Sequence, residues 1–225
     1  MNEYAMRNPW LELPSERPYI LPIDRESIER RSARVAVKHR LNVGSIPEPF
    51  IGNPEVATVI LLNLNPGDSP EDEANHRNPV FRKALICNLR HESEEYPFYP
   101  LNPEFIGTGC GVWWNNCLRA LFDAGGLDRR RVAQRLCVIE WFPYHSQKSG
   151  LPHKQVCPSQ NYSFEIAKRT LESRKLIVGM RGRRHWTNVN TDFASVPYLR
   201  NPQCCSISPG NTDADFFARI VETLR

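Results

Sequence analysis

The amino-acid sequence predicts an α/β fold: a three-layer α/β/α sandwich with a central, mainly parallel four-stranded sheet. Short apolar segments with the length of buried strands alternate along the chain with longer segments whose apolar residues recur at helical spacing. This alternation is typical of parallel sheets that are covered by helices on both faces. The 225 residues, of which 40 % are hydrophobic and 24 % charged, are enough for one large core. We therefore expect a single domain over residues 1–225, in which residues 1–50 form an N-terminal arm and helix.

Four segments are expected to form the sheet, because each is short, largely apolar and bounded by residues that favour turns. They are TVILL, LCVIEWF, KLIVG and CCSIS, at residues 58–62, 136–142, 175–179 and 204–208. The first of them is followed by Pro66 and Gly67, a pair that stops regular structure.

Helices are expected between these strands and at both ends of the sheet. Asp24 is a suitable N-cap for a helix over residues 26–41, and Asp128 for one over residues 129–135. Further helices are expected within residues 79–90, from residue 113 to the glycine pair at 125–126, over residues 164–173, and from residue 213 onward. The last of these places Phe216, Phe217, Ile220, Val221 and Leu224 on one face.

Composition and charge narrow the class of protein. No run of 18 apolar residues is present, so no membrane span is expected, and the polar N-terminus lacks the apolar segment of a secretory signal. We expect a cytoplasmic protein and a monomer. Seven cysteines without a Cys-x-x-Cys pair indicate reduced thiols and give no reason to expect a metal or another cofactor. The net charge of +4 is compatible with a polyanionic partner.

Polar residues and glycines follow each predicted strand. The four strand ends read NLNPGDS, EWFPYHS, GMRGRRHW and SISPGN. Ligands of open α/β sheets bind at the carboxyl ends of the strands, so we expect a functional site there. Asn63 and Asn65 leave the first strand at the point where this site would form.

Two of these strand ends resemble motifs of the uracil-DNA glycosylase superfamily. Its members carry a Gly-x-Asn-Pro-Gly motif after the first strand and a His-Pro-Ser-Pro motif after the last. NLNPG matches the first motif, with Asn63 in place of the leading glycine, and SISPGN matches the second at Ser208 and Pro209, with Ser206 in place of the histidine. The segment LIVGMRG is similar to the third strand of the family, and the resemblance extends over roughly residues 56–225.

The resemblance implies a DNA N-glycosylase-like enzyme that removes a modified or mispaired base by hydrolysing the N-glycosidic bond. Such an enzyme turns the base out of the DNA stack into a pocket. The partner would be DNA, or else a nucleotide or nucleoside. One alternative is a catalytically inactive protein of the same fold that binds nucleic acid or a nucleotide, and another is an unrelated Rossmann-like hydrolase.

The resemblance assigns candidate catalytic residues to the two motifs. Asn65 would orient the attacking water, although an amide cannot take up its proton. Asp68 is a carboxylate three residues further on and a possible substitute, and Ser206 occupies the histidine position of the second motif. The simpler interpretation is that Asn65, Pro66 and Gly67 form only a tight turn.

The family reads the base with an amide at the end of the second strand, where this chain has Glu140. An ionised carboxylate only accepts hydrogen bonds, so the pocket should favour bases that present amino or imino donors. The alternative is that Glu140 pairs with a nearby arginine. Other candidate substrate contacts are Asn63, Gly67, His145 and Ser208, together with Phe81 and Tyr99, either of which could stack on the base.

The arginines after the third strand are candidates for phosphate binding. Arg181, Arg183 and Arg184 would hold phosphates together with Asn211, unless they form a plain solvated basic loop. Cys110, placed before a helix, is a weaker candidate nucleophile because no partner is fixed for it. The leading hypothesis requires that Asn65, Glu140 and Ser206 meet in one cleft beside an aromatic side chain.

Overall fold

The computed structural model describes residues 7–69, 71–92, 94–123 and 126–225, and these residues form a mixed α/β fold. This part of the chain contains six strands: β1 (Leu41–Asn42), β2 (Phe50–Ile51), β3 (Val59–Asn63), β4 (Leu136–Glu140), β5 (His145–Ser146) and β6 (Leu176–Gly179). The same residues contain eight α-helices: α1 (Arg25–Ser32), α2 (Asp72–Arg77), α3 (Pro79–Leu89), α4 (Gly109–Asp123), α5 (Arg129–Arg135), α6 (Gln160–Glu172), α7 (Arg183–Val189) and α8 (Ala214–Leu224).

The central sheet has the strand order β2–β4–β3–β6. β3 pairs in parallel with both β4 and β6, whereas β2 pairs antiparallel with β4 at one edge. The sheet is therefore mixed, and the expectation of a mainly parallel sheet is wrong. β1 and β5 form a separate antiparallel pair beside it.

The predicted strand at residues 204–208 does not form. The fourth strand of the central sheet is β2 instead. Cys205 has a φ of 54°, in the left-handed region, which interrupts an extended backbone. The Ile207 N–H donates to the carbonyl of Cys117 in α4 at 2.8 Å, so the segment packs as a loop on a helix. Beside β6, a single parallel bridge joins Gly179 to Tyr198 instead.

Several helix boundaries differ from those expected. α1 ends at Ser32 rather than near residue 41, and a 3₁₀ turn over Val37–His39 follows it. α4 begins at Gly109, before Trp113, and α6 begins at Gln160 rather than at residue 164. The expected end of α4 at the glycine pair 125–126 lies partly outside the described residues.

The sheet lies within the core. All five residues of β3 and all five of β4 are buried. The apolar face predicted for the last helix is buried in α8, which contacts β3 and α5. Within the described residues no helix has the length and apolar character that crossing a membrane requires.

The N-terminal arm takes part in the core. Trp10 is buried, with its ring centroid 6.2 Å from that of Tyr144. Asp24 is also buried, and it does not cap α1 as expected. Its carboxylate accepts hydrogen bonds from the Tyr144 hydroxyl at 2.7 Å and from the Ser159 N–H at 2.9 Å. These contacts attach the arm to the segment that precedes α6.

The cap of α8 gives a stability prediction. The Asp213 side chain accepts hydrogen bonds from the N–H groups of Asp215 and Phe216 at 3.0 and 3.4 Å. We expect Asp213→Ala to lower the free energy of unfolding by about 1 kcal/mol, measured by urea denaturation, because two helical N–H groups lose their acceptor. Asp213→Asn keeps an acceptor and is the matched control. Equal losses in both variants would show that the cap does not stabilise the helix.

Candidate functional site

A cavity of about 290 Å³ lies where β3 and β4 end. Nine of the candidate residues from the sequence line it: Asn63, Asn65, Gly67, Asp68, Phe81, Cys110, Glu140, His145 and Arg181. The cavity is also bordered by Glu48, Asp72 and His76, and by aromatic residues at the start of α4. Residues up to 133 positions apart in the sequence are thus brought together at one edge of the sheet.

Six other candidate residues do not line this cavity. They are Ser206, Ser208, Tyr99, Arg183, Arg184 and Asn211. The Asn211 side chain is buried and donates to the carbonyls of Asn201 and Ser206 at 3.2 and 2.8 Å, so it fixes the loop that contains the second motif. The leading hypothesis required Asn65, Glu140 and Ser206 to lie in one cleft. Asn65 and Glu140 do so, and Ser206 does not.

Asn63 and Glu140 form a cross-strand pair at the floor of the cavity. They stand opposite each other in the parallel register of β3 and β4, and Asn63 Nδ2 donates to Glu140 Oε1 at 2.9 Å. Their relative exposures are only 3 % and 2 %. Among the described residues, Asn63 Oδ1 and Glu140 Oε2 have no hydrogen-bond partner.

Burial raises the pKa of Glu140 to about 8. The hydrogen bond from Asn63 and the positive charge of Arg181 oppose this shift, while the negative charge of Glu48 adds to it. The carboxyl is therefore largely protonated at neutral pH, unlike the ionised group assumed from the sequence. Glu140 makes no ion pair with an arginine in the described part of the chain, since Arg181 Nε donates to the Pro202 carbonyl at 3.0 Å.

Asn65 and Asp68 border the cavity from the loop after β3. Asn65 Nδ2 donates to Ser146 Oγ at 3.0 Å and to the Pro66 carbonyl at 2.8 Å, so its Oδ1 is the atom that remains for a ligand or a water. Asp68 Oδ1 accepts from Asn42 Nδ2 at 2.8 Å. The loop thus presents a partly exposed carboxylate beside a fixed amide.

His145 anchors the same loop from below. Its Nδ1 lies 2.6 Å from the Gly67 carbonyl oxygen, and its Nε2 lies 2.9 Å from that of Ile46. Carbonyl oxygens only accept, so each ring nitrogen can act only as the donor in these two contacts. His145 therefore holds the Asn-Pro-Gly loop in place, with neither nitrogen directed at a substrate.

The buried side chains of Glu48, His76 and His145 bring their possible metal-ligand atoms within 4.8 Å of one another. His76 Nδ1 accepts the N–H of Ile46 at 2.9 Å, so the neutral ring carries its proton on Nε2. Burial, with repulsion from His145, lowers the pKa of His76 to about 2. An ion would therefore have to displace at least one hydrogen bond to the backbone at each of the two histidines.

Aromatic side chains form one wall of the cavity. Trp113 is half-buried, and its ring lies 5.9 Å below the Arg181 guanidinium and edge-on to Trp114 at 4.6 Å. Phe81 is packed edge-on against Tyr99 and Phe105, with centroid distances of 5.7 and 5.0 Å. Trp113 is thus a half-buried aromatic surface on which a ligand could stack. The sequence did not identify it as a candidate, because the helical spacing shows that it lies on a helix and not that it faces a cavity.

Tyr99 lies behind this wall rather than in the cavity. It is buried, and its hydroxyl donates to Glu48 Oε1 at 2.7 Å. It therefore fixes Glu48, whose pKa is raised by burial in spite of the nearby charge of His145. Cys110 does line the cavity, but burial raises the pKa of its thiol, which makes it a poor nucleophile.

Arg183 and Arg184 are exposed at the start of α7. The Arg183 guanidinium donates to the Ala194 carbonyl at 3.0 Å and lies 5.2 Å from the ring of Tyr198. A second, larger cavity of about 540 Å³ is bordered by Glu92, Glu94, Glu95 and Glu104. Among the candidate residues that the structure describes, Tyr99 alone borders this second cavity, whereas most of the others line the cavity at β3 and β4, which is therefore the candidate site.

No model of a known protein family, no curated protein and no solved structure matches this chain.

The buried carboxyl gives a prediction about pH and stability. Because the pKa of Glu140 is raised in the folded state, its contribution to stability is complete below the ordinary glutamate pKa and is lost as the pH rises toward about 8. We expect the free energy of unfolding of the wild type to fall, relative to Glu140→Gln, by up to about 1.4 kcal/mol per pH unit in this range. Urea denaturation at several pH values measures the difference.

The control for this comparison is Glu222→Gln, which makes the same chemical change on the exposed side of α8. It should follow the wild type at every pH. Parallel curves for the wild type and Glu140→Gln would contradict a buried, protonated carboxyl.

The cluster of Glu48, His76 and His145 gives a prediction about metals. Because an ion would have to displace hydrogen bonds between both histidines and the backbone, dialysis against a chelator followed by added Zn²⁺ should leave the midpoint of thermal unfolding unchanged. A rise in the midpoint that disappears in His76→Gln would show that the cluster binds the ion.

Proposed function

We propose that this chain is a DNA N-glycosylase-like enzyme that removes a modified or mispaired base by hydrolysing the N-glycosidic bond. The observation that carries the proposal is that the Asn65 amide, the Asp68 carboxylate and the Asn63–Glu140 pair line one cavity at the ends of two parallel strands. The resemblance of NLNPG to the first glycosylase motif supports the same assignment.

The size and walls of the cavity suit a single base. Its volume of about 290 Å³ is just below the range typical of pockets for larger ligands, roughly 300–1,000 Å³. A base turned out of the stack would lie against Trp113, and base–aromatic stacking contributes about 1–3 kcal/mol. Its hydrogen-bonding edge would face Asn63 and Glu140.

In the reaction a water molecule attacks C1′ of the sugar, and the base leaves with the electron pair of the broken bond. Asn65 Oδ1 and Asp68 would orient this water, and Asp68 would take its proton. The negative charge of Asp68 would also stabilise the oxocarbenium-like sugar in the transition state. Asp68 therefore supplies the base that the amide of Asn65 cannot be.

The phosphates that flank the base would contact the basic residues near the cavity. Arg181 borders the cavity, and Arg183 and Arg184 are exposed next to it in sequence. Contacts to phosphates add affinity without selecting a sequence. We further propose a single three-layer domain that acts as a cytoplasmic monomer and needs no cofactor.

The second candidate is a catalytically inactive protein of the same fold that binds nucleic acid or a nucleotide. It is favoured by the position of Ser206, which does not line the cavity, so the second motif contributes no catalytic group there.

Release of bases from a panel of oligonucleotides that carry single modified bases or mismatches tests the proposal. We expect Asp68→Asn to lower the rate by about 10²–10⁴-fold, because the proton acceptor is lost. Asn65→Ala should lower it by about 10²-fold through misplaced water. Asn116→Ala, an amide on the exposed face of α4, is the matched control. Binding of the oligonucleotides without release of any base would favour the inactive binding protein.

A further inference from the structure

The Asn63–Glu140 pair leaves two buried polar atoms without a partner in the described protein, and both belong to residues that line the cavity. Buried polar atoms nearly always have a partner, so such exceptions point to a missing ligand or water. The two side chains stand on adjacent strands and are joined through their other polar atoms, Asn63 Nδ2 and Glu140 Oε1, so the two unpartnered atoms are placed to receive the edge of one planar molecule.

The number of free donors and acceptors follows from the protonation of Glu140. When the carboxyl is neutral and Asn63 Nδ2 donates to it, the acceptor Asn63 Oδ1 and the hydroxyl donor of Glu140 remain free. If the amide turns by 180° and accepts from the carboxyl, the donor Asn63 Nδ2 and one carboxyl oxygen remain free. The neutral pair therefore presents one donor beside one acceptor in either arrangement. An ionised carboxylate leaves two acceptors.

We propose that the Asn63–Glu140 pair binds a nucleobase whose exposed edge carries one hydrogen-bond donor beside one acceptor, with the neutral carboxyl of Glu140 as one half of the recognition. The ring N–H and carbonyl of hypoxanthine or uracil form such an edge. This inference rests on the proposed function only in placing a base in the cavity. It differs from the expectation based on an ionised glutamate, which favoured bases that present amino or imino donors.

Binding of free bases tests the inference without any catalytic step. The probes are hypoxanthine and uracil, each compared by isothermal titration calorimetry with its analogue methylated at the ring nitrogen that donates. The methyl group removes the donor and leaves the ring available for stacking on Trp113. We expect each methylated base to bind about tenfold more weakly or worse, since one hydrogen bond to a buried partner is lost.

Two variants of Glu140 separate a neutral carboxyl from a carboxylate. Glu140→Gln keeps one donor and one acceptor, so it should bind the unmethylated bases within about threefold of the wild type. Glu140→Met has a similar length and neither group, and it should lose about tenfold or more. Circular dichroism and urea denaturation of both variants show whether they fold.

The pH dependence of binding gives a second readout. The charged and titratable groups that act on Glu140 are Glu48 before β2, Arg181 after β6 and Cys205 in the second-motif loop, while Asn63 on β3 is its hydrogen-bond partner. Between about pH 7 and about pH 9 the wild type should lose about tenfold in affinity as the neutral form is depleted. Glu140→Gln should not show this additional loss, and it corrects for any ionisation of the base itself.

The inference is overturned if Glu140→Gln binds as poorly as Glu140→Met, since a carboxylate would then be required, or if methylated and unmethylated bases bind equally. The proposed function fails separately. Selective binding of free bases without release of any base from oligonucleotides would support the recognition pair and refute the hydrolase. If the wild type releases bases from oligonucleotides but binds methylated and unmethylated bases equally, the hydrolase is supported and the recognition pair is refuted.

Discussion

The candidate site depends on the parallel pairing of β3 with β4. This register sets Asn63 opposite Glu140 at the last pair of the ladder, so the amide and the carboxyl leave the sheet side by side. Both side chains are buried because the strands that carry them are buried along their whole length. A shift of one residue in the register would turn one of the two side chains to the other face of the sheet and separate the pair.

Two kinds of support keep the groups around this pair in position. The ring of His145, which is hydrogen-bonded through both nitrogens, fixes the Asn-Pro-Gly loop through the carbonyl of Gly67. Tyr99 fixes Glu48 from the opposite side, and the packed rings of Phe81 and Phe105 fill the space behind the cavity. The site is therefore built from rigid elements and short anchored loops, which is the arrangement that recognition of a small planar ligand requires.

The sequence predicted the elements that are defined by their own local pattern. The strands at β3, β4 and β6 follow from continuous apolar runs, and the Asp128 cap follows from its side chain, whereas the expected Asp24 cap does not form because that side chain is bonded within the core. β2 was not predicted because a strand of two residues has no periodicity. The segment at 204–208 was wrongly predicted as a strand because it is short and apolar, although it packs as a loop on α4. In the candidate site, the NLNPG motif identified Asn65, and the position at the end of the second predicted strand identified Glu140. The protonation of Glu140 and the position of Trp113 depend on tertiary packing, which no local pattern records.

The attachment of the N-terminal arm bears on the order in which the chain acquires its structure. Asp24 finds its hydrogen-bonding partners 120 and 135 positions later in the chain. Contacts of such long range close slowly, since the intervening chain must first be ordered. During synthesis residues 8–24 gain some of their partners early, such as Val43 and Leu89, but the contacts of Asp24 cannot be complete until Ser159 has been made. The last contacts of the arm thus form late in folding, long after its own residues have been synthesised.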